Sequence, residues 1–309
     1  MLDGKKVLIT GLTGQIGGAI ANAHAPRCEM WGLARYTRGG SREQVEAMGV
    51  RPVVCDLARG DFAGVPDDFD YVLHFAATTS PRNADEGMAQ NAEATGLLMH
   101  HCRKAKAFLH IGATACYTPN PDPNHRFKET DDMGSAFLRG PNYAGTKLAA
   151  EGVVRTLARI LDLPVTIARI NVAYGDYDDG GMPGRHLKAL VEGGVITLPI
   201  GPCMHSPIHD DDLAAHVEPL LRAASVPATI VNWGGSEGVN VRDWVDYLGE
   251  LTGLTPKFNF TDERALPSYV TDTTKGREIG LEWKVHWKDG MRRMVTRRYP
   301  EIPLRQAAG

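Results

Sequence analysis

Short apolar runs alternate with longer stretches of helical periodicity over the first two thirds of the chain. Strands are predicted at residues 5–10, 29–34, 52–55, 70–75, 107–111 and 165–170, and helices at 16–25, 41–48, 84–104 and 143–161. Each helical stretch is about long enough to connect two parallel strands. This alternation is typical of a doubly wound parallel sheet with helices on both faces, and it predicts an α/β fold of the Rossmann type.

After Gly175 this alternation weakens. Residues 176–184 are rich in turn formers, and the C-terminal part carries scattered prolines. A helical pattern at 210–224 followed by an apolar run at 229–233 predicts that the chain returns to the main sheet. We therefore predict a main domain of residues 1–175 plus about 208–235, and a small C-terminal lobe of about 176–207 plus 236–309.

Composition narrows the class of partner. The formal net charge is −3, and the basic residues are scattered apart from one patch at 292–298, which has the spacing of a solvated helix face. Without a strong positive field we expect no nucleic acid partner. Five widely spaced cysteines disfavour disulfides and zinc, and we expect no metal. With no charged leader and no apolar run of about 18 residues, we expect a cytoplasmic protein without a membrane partner.

A glycine-rich segment lies between the first predicted strand and the first predicted helix, where residues 10–17 read TGLTGQIG. Glycines permit a tight turn and let the backbone approach a pyrophosphate, which then faces the unpaired N–H groups of the helix N-terminus. This context predicts a dinucleotide-binding loop and makes the main domain a dinucleotide-binding domain. The candidate contacts are Gly11, Thr13, Gly14, Gln15, Ile16 and Gly17.

The end of the second predicted strand bears on the choice of dinucleotide. A protein that prefers NAD carries an acid there to bind the ribose hydroxyls, whereas this sequence has Arg35. A guanidinium can pair with the 2′-phosphate of NADP, and Arg38 lies close enough in sequence to assist. The sequence therefore predicts NADP as the cofactor, with NAD as the alternative.

Tyr143 and Lys147 open the last predicted helix of the main domain, one turn apart and on the same face. A free phenol has a pKa of about 10, and a neighbouring ammonium favours its ionised form. Tyr143 could then exchange a proton with a substrate oxygen while hydride moves at the adjacent carbon. The alternative, a half-buried tyrosine beside a surface lysine, is disfavoured by the dinucleotide loop upstream.

Three segments together resemble the extended short-chain dehydrogenase/reductase family, which includes NAD-dependent epimerases and dehydratases: TGLTGQIG, HFAA at residues 74–77, and YAGTK at 143–147. The resemblance covers about residues 5–215. It implies a carboxylate, Asp56, against the adenine, a structural Asn91, and a sixth-strand exit that borders the nicotinamide. The cofactor contacts so implied are Asp56, Leu57, Phe75, Ala76, Ala77, Asn91, Tyr143, Lys147, Ile170 and Val172.

The family also places a Ser or Thr after the fifth strand, where it binds the substrate oxygen. Counted back from Tyr117, that position falls on Ala113, and Thr114 comes one residue later. We nominate Thr114 as the third catalytic residue. In the alternative, the site lacks this donor and relies on Tyr117, on water or on a backbone N–H.

Family members of known substrate class help to narrow the reaction. Dehydratases of the family carry an acidic pair just after this hydroxyl, whereas Thr114 is followed by Ala115 and Cys116, which disfavours a dehydratase. Nucleotide-sugar enzymes of the family usually carry an arginine where residues 204–206 read Met-His-Ser, which weakens the case for a nucleotide-sugar substrate. Cations that could replace that arginine are Arg185, Lys188 and Arg264.

We therefore predict an oxidoreductase that acts on a secondary alcohol or ketone, with a small C-terminal lobe that binds this small-molecule substrate. The alternatives are a nucleotide-sugar epimerase and, in a different class, a non-catalytic protein that senses its dinucleotide. A homodimer is left open.

Overall fold

The computed structural model of the protein describes residues 1–134, 141–263 and 266–305. Its strands are β1 (Lys6–Thr10), β2 (Glu29–Ala34), β3 (Arg51–Val54), β4 (Tyr71–His74), β5 (Ala107–Ala113), β6 (Arg126–Phe127), β7 (Val165–Ile170), β8 (Ala173–Tyr174), β9 (Val195–Leu198), β10 (Met204–His205), β11 (Ile208–His209), β12 (Thr229–Trp233), β13 (Val239–Asn240), β14 (Lys257–Phe260) and β15 (Val270–Thr271). Its α-helices are α1 (Gln15–His24), α2 (Ser41–Ala47), α3 (Ala84–Gly87), α4 (Ala94–His101), α5 (Pro141–Ile160), α6 (Gly181–Val191), α7 (Asp210–Arg222), α8 (Val241–Thr252), α9 (Thr274–Glu278) and α10 (Trp287–Arg298).

Seven of the described strands form one sheet in the order β3-β2-β1-β4-β5-β7-β12. Every neighbouring pair in it is parallel, and Ile9 of β1 lies opposite Gly32 of β2 and Leu73 of β4. The strand order changes direction between β1 and β4. In doubly wound sheets, ligands bind in the crevice outside the carboxyl ends of the strands at this point. The predicted fold class is confirmed.

The strands of this sheet are apolar on both faces because helices cover both. Successive side chains of a strand point to opposite faces. Leu8 and Phe108 therefore belong to the core on one face, whereas Ile9 and Leu109 belong to the core on the other. A strand buried on both faces needs an apolar residue at nearly every position, which explains the continuous hydrophobic runs of the sequence.

One predicted helix is interrupted. The pattern at 84–104 folds as α3, a π-helical turn at Met88–Glu93, and α4. Asn91 lies in that turn, where its side chain accepts a hydrogen bond from Thr78 N at 2.8 Å and donates to Thr146 Oγ1 at 3.0 Å. Such turns are frequent where a side chain must serve a site, and here the amide fixes the loop after β4 to α5.

The C-terminal part contains more regular structure than its sequence pattern suggests. Short strand pairs, β9 with β14 and β10 with β13, accompany a core around Trp244 to which Met294 of α10 also belongs. The chain returns to the main sheet through β12, which pairs with β7. The division into a main domain and a lobe stays a prediction. Within the described ranges, no helix has both the length and the apolar character that crossing a membrane requires.

Candidate active site

A cavity of about 350 Å³ lies at the carboxyl ends of the central strands. Predicted cofactor contacts make up most of its lining: Gly11, Thr13, Gly14, Gln15, Ile16, Gly17, Arg35, Asp56, Leu57, Phe75, Ala76 and Ala77. Sequence reasoning missed the remaining lining residues, Leu33, Ala34, Cys55, Ala58, Thr78, Gln90 and Ala94. Gln90 and Ala94 reach the cavity from the helical segment after β4, and no motif marks them.

The three glycines of the loop have different reasons to be glycine. Gly11 has φ +72°, and a Cβ there would lie 2.6 Å from Ala76 N. A Cβ at Gly17 would lie 2.4 Å from Gly11 O. At Gly14, by contrast, a Cβ would meet nothing nearer than Gly11 O at 3.5 Å. Packing therefore requires the outer two glycines, whereas Gly14 borders open space at the first turn of α1, where helix N–H groups lack intrahelical partners. This geometry fits a pyrophosphate.

The opposite end of the cavity contains the groups expected to face adenine and ribose. Asp56 accepts a hydrogen bond from Ala58 N at 3.2 Å and so caps the short turn Leu57–Arg59. Arg35 is exposed on the rim of the cavity. Arg38 is already engaged, because it donates to Asp178 Oδ1 at 3.0 Å and to Thr13 O at 3.4 Å.

Tyr143 and Lys147 lie on the first turns of α5, beside the end of β5. The Lys147 side chain is 2% exposed, and its Nζ donates to Ile111 O at 2.6 Å. Burial lowers the pKa of Lys147 to about 8, so its ammonium form still predominates at neutral pH. Burial, with a smaller contribution from Cys116, raises the pKa of Tyr143 above its ordinary range, so the phenol is protonated at neutral pH.

Thr114 is buried, and its hydroxyl has partners within the protein. It donates to Ile170 O at 3.2 Å and accepts from Asn171 Nδ2 at 2.9 Å. Tyr117, the alternative donor, is fully buried, and its hydroxyl donates to Asn232 Oδ1 at 2.7 Å. Either hydroxyl would have to give up an internal hydrogen bond to donate one to a substrate, and Ala113 offers no hydroxyl at all.

A buried ion pair holds α5 against the sheet, and sequence reasoning missed it. Arg169 of β7 contacts Glu151 of α5 through Nη2–Oε1 at 2.7 Å and Nε–Oε2 at 3.0 Å, and its Nη1 donates to the Tyr117 hydroxyl at 2.8 Å. The available signal was an arginine as the only charged residue of its strand, together with a glutamate one turn beyond Lys147 on the same helix face. The pair fixes the helix that carries Tyr143 and Lys147.

The remaining predicted cofactor contacts occupy supporting positions. Asn91 is buried between the loop after β4 and α5. Ile170 and Val172 are buried where the chain leaves β7, and their carbonyls accept hydrogen bonds from Thr114 Oγ1 and Ile208 N. Their contact with a dinucleotide stays a prediction.

The sheet order, the glycine loop at the change of direction and the Tyr–Lys pair on α5 define an enzyme that uses a nicotinamide dinucleotide. The chain belongs to the NAD dependent epimerase/dehydratase family, whose model matches residues 7–247. This confirms the family resemblance and the enzyme class predicted from the sequence.

One curated relative is distant in sequence, and several solved structures are similar in fold. The chain is 25% identical over 245 residues to the low-salt glycan biosynthesis protein Agl12 of Haloferax volcanii, covering 74% of this chain and 75% of that protein. The UDP-N-acetylglucosamine 4-epimerase of Methanobrevibacter ruminantium, in complex with UDP-N-acetylmuramic acid, superposes with a TM-score of 0.85 at 17% identity over 97% of this chain and 99% of that chain.

Two further solved structures were determined with NAD. The UDP-glucose 4-epimerase of Thermus thermophilus gives a TM-score of 0.80 at 23% identity, covering 94% of this chain and 98% of that chain. The UDP-glucuronic acid 4-epimerase of Bacillus cereus, with UDP-glucuronic acid and NAD, gives 0.82 at 19% identity over the same shares. At these identities the likeness shows the fold.

Proposed function

We propose that the protein transfers hydride between a nicotinamide dinucleotide and the carbon of a secondary alcohol or ketone, with Tyr143 as the acid/base. The observation that carries this proposal is the placement of Tyr143 and Lys147 on one face of α5, with Lys147 Nζ bound to Ile111 O at 2.6 Å next to the end of β5. The dinucleotide cavity lies at the same edge of the sheet. A merely structural lysine would be expected to extend its ammonium into water.

The protonation states favour Tyr143 as a proton donor. When bound, the dinucleotide supplies or accepts the hydride. Burial raises the pKa of Tyr143, so the resting phenol holds the proton that reduction of a ketone requires. Lys147 places a positive charge on the same helix face, which favours the phenolate left behind. In the opposite direction the phenol must first lose its proton, and the positive charge of Lys147 assists that loss.

We propose NADP(H) as the preferred dinucleotide. Arg35 supports this choice because it is exposed on the rim of the cavity, at the end of the strand where an acid would repel the 2′-phosphate. Arg38 is a weaker candidate because Asp178 already neutralises its charge. The predicted role therefore falls mainly on Arg35.

A secondary alcohol or ketone stays ahead of a nucleotide sugar as the proposed substrate. A diphosphate needs cations, and the two candidates in the described part of the chain pair with carboxylates: Arg185 with Asp179 at 2.6 Å and Lys188 with Glu192 at 3.8 Å. Arg264 lies outside the described residues. The structural neighbours that act on UDP sugars keep epimerisation as the second candidate, since it uses the same proton and hydride transfers.

The test begins with mass spectrometry of small molecules released when the purified protein is denatured. The protein is then incubated with each dinucleotide and with panels of secondary alcohols, ketones and nucleotide sugars. A change in nicotinamide absorbance matched by an equal amount of alcohol or ketone product supports the proposal. Interconversion of a sugar with its epimer, with no net change in the dinucleotide, would assign the second candidate. Inactivity toward every class would contradict both.

The cytoplasmic location and the homodimer stay predictions.

A further inference from the structure

The chain segment Gly175–Gly180, here called the strap, follows β8 and has unusual backbone geometry. Gly175 has φ +155° and Gly180 has φ +73°, and the intervening Asp178 also has a positive φ, +49°. Aspartate tolerates this left-handed conformation better than most residues, but at an energetic cost. Such a conformation persists where surrounding contacts hold it, and the strap has such contacts on several sides.

Asp210, the first residue of α7, joins the strap to the phosphate-binding loop. Its carboxylate accepts hydrogen bonds from Gln15 Nε2 at 3.2 Å and from the strap amide of Asp176 at 2.9 Å. A Cβ at Gly175 would lie 2.1 Å from Asp210 Oδ2, so only glycine leaves room for this carboxylate. Asp210 is 3% exposed. Burial raises the pKa of Asp210 to about 7, and the hydrogen bonds from Gln15 and the strap amides oppose that rise.

A second bridge reaches the loop from the other side. Arg38, after β2, donates to Asp178 Oδ1 at 3.0 Å and to Thr13 O at 3.4 Å. Thr13 and Gln15 flank Gly14, and both line the dinucleotide cavity. The strap is therefore tied to the loop on each side of Gly14, through Arg38 to Thr13 and through Asp210 to Gln15.

The outer side of the strap is held by the basic patch of α10. Arg298 donates to Asp178 O at 2.9 Å, and Arg297 Nε lies 3.5 Å from Asp176 Oδ2. The spacing of this patch predicts only a solvated helix face. Its arginines lie at or near the surface, and Arg297 and Arg298 also hold the outer side of the strap. The acidic strap and the basic patch thus pair with each other, across more than a hundred residues of sequence.

We propose that the strap holds the phosphate-binding loop in the geometry that binds the dinucleotide, and that Asp210 and Arg38 are the positioning residues that slow its release. This inference rests on the dinucleotide binding of the proposed function. A loop ordered before binding costs less to order on binding, and affinity differences of this kind appear mainly in the dissociation rate. Asp210 contributes more than Arg38, because it is buried whereas the Arg38–Asp178 pair is exposed.

The variants Asp210→Ala and Asp178→Asn test the two bridges. Asp210→Ala removes the link to Gln15, and Asp178→Asn weakens the pair with Arg38 while keeping a residue that tolerates positive φ. Asp212→Ala is the matched control. Asp212 lies on the same first turn of α7, is 2% exposed, and accepts hydrogen bonds from Lys284 N and Val285 N, away from the loop.

The measurement is stopped-flow displacement of bound NADPH or NADH by excess oxidised dinucleotide. At pH 8, where Asp210 is mostly ionised, we expect Asp210→Ala to dissociate about 10- to 100-fold faster than the parent, as for loss of a hydrogen bond to a charged group. Asp178→Asn should dissociate about two- to fivefold faster, and Asp212→Ala within about twofold of the parent. If Asp210→Ala does not fold, Asp178→Asn and hydrogen exchange at residues 13–18 in the dinucleotide-free protein carry the test, with faster exchange expected.

Three results would overturn the inference. Parent-like dissociation rates in both Asp210→Ala and Asp178→Asn would show that the two bridges do not hold the loop. An equal acceleration in Asp212→Ala would show a general effect of losing a buried carboxylate from α7. A parent that binds neither dinucleotide would overturn the proposed function together with this inference, whereas the first two results leave the proposed function intact.

Discussion

The two ends of the site differ in what they are made of. At the proposed phosphate end, the binding surface would be the backbone of residues 11–17, and neither Gly11 nor Gly17 leaves room for a Cβ. At the proposed catalytic end, the chemistry would depend on two side-chain atoms, the Tyr143 hydroxyl oxygen and Lys147 Nζ, and the position expected to carry a third hydroxyl is Ala113. A binding surface made of main-chain atoms is largely kept when side chains are substituted, whereas one substitution can remove a catalytic side-chain atom. Binding and chemistry should therefore be separable by mutation.

The largest effect is expected at the catalytic end. Lys147→Met should lower kcat by about 10²- to 10⁴-fold, since in the proposed mechanism it removes the charge that favours the phenolate left on Tyr143. In the parent, kcat/KM for ketone reduction should fall as pH rises through about 8, where Lys147 loses its proton while the phenol of raised pKa stays protonated. The variant should lack this decline. A pH profile that is unchanged in Lys147→Met would contradict the assignment.

The glycines test the phosphate end with an intermediate effect. Gly11→Ala should destabilise the ligand-free fold by about 2 kcal/mol or more, because a Cβ there meets backbone and φ is positive. Gly14→Ala should change ligand-free stability by less than about 1 kcal/mol, but weaken dinucleotide binding about tenfold or more where the backbone must approach the phosphates. Thermal denaturation and fluorescence titration measure the two quantities. Equal binding by Gly14→Ala and the parent would show that the pyrophosphate lies elsewhere.

Arg35→Ala should have a smaller effect, confined to the choice of dinucleotide. The parent should gain more thermal stability from NADP than from NAD at equal concentration, since stabilisation follows the ratio of ligand to dissociation constant. Loss of one charged hydrogen-bonding partner should cost NADP about tenfold in affinity and leave NAD nearly unchanged. If NAD stabilises the parent more, and the variant behaves like the parent with both ligands, the NADP proposal is wrong.

Thr114→Ala is expected to have the smallest catalytic effect. The hydroxyl donates to Ile170 O and accepts from Asn171, so its loss should cost about 1 to 3 kcal/mol of stability and lower kcat by less than about tenfold. Chemical denaturation and steady-state kinetics give both values. A fall in kcat of a hundredfold or more with normal dinucleotide binding would instead show that Thr114 donates to the substrate in the working enzyme.

The sequence predicted the features that depend on local pattern. Apolar runs fall on the central strands, and β2 and β7 match their predicted ranges. The glycine loop lies where a strand gives way to a helix, and its residues line the cavity. The apolar pattern of a strand and the spacing of the loop glycines lie within short stretches of sequence, so pattern reasoning can find them.

Features that depend on distant partners could not be predicted from the sequence. The Thr114 hydroxyl points where Ile170 O accepts it, and that neighbour comes from another strand. Arg169 is the only charged residue of β7, and its partner Glu151 lies on another element, α5. The strap and the arginines of α10 meet only in the folded chain. In each case the side chain's role is set by its partner, and sequence spacing does not identify that partner.

In the proposed mechanism, Tyr143 performs the proton transfer and is not needed for dinucleotide binding. The most direct test measures dinucleotide affinity and single-turnover hydride transfer in the same preparations of the parent and Tyr143→Phe. The variant keeps the ring and loses the only atom that exchanges the proton, so its affinity should stay within about threefold of the parent and its rate should fall by about 10²- to 10⁴-fold. A Tyr143→Phe protein that transfers hydride at the parental rate would contradict the account.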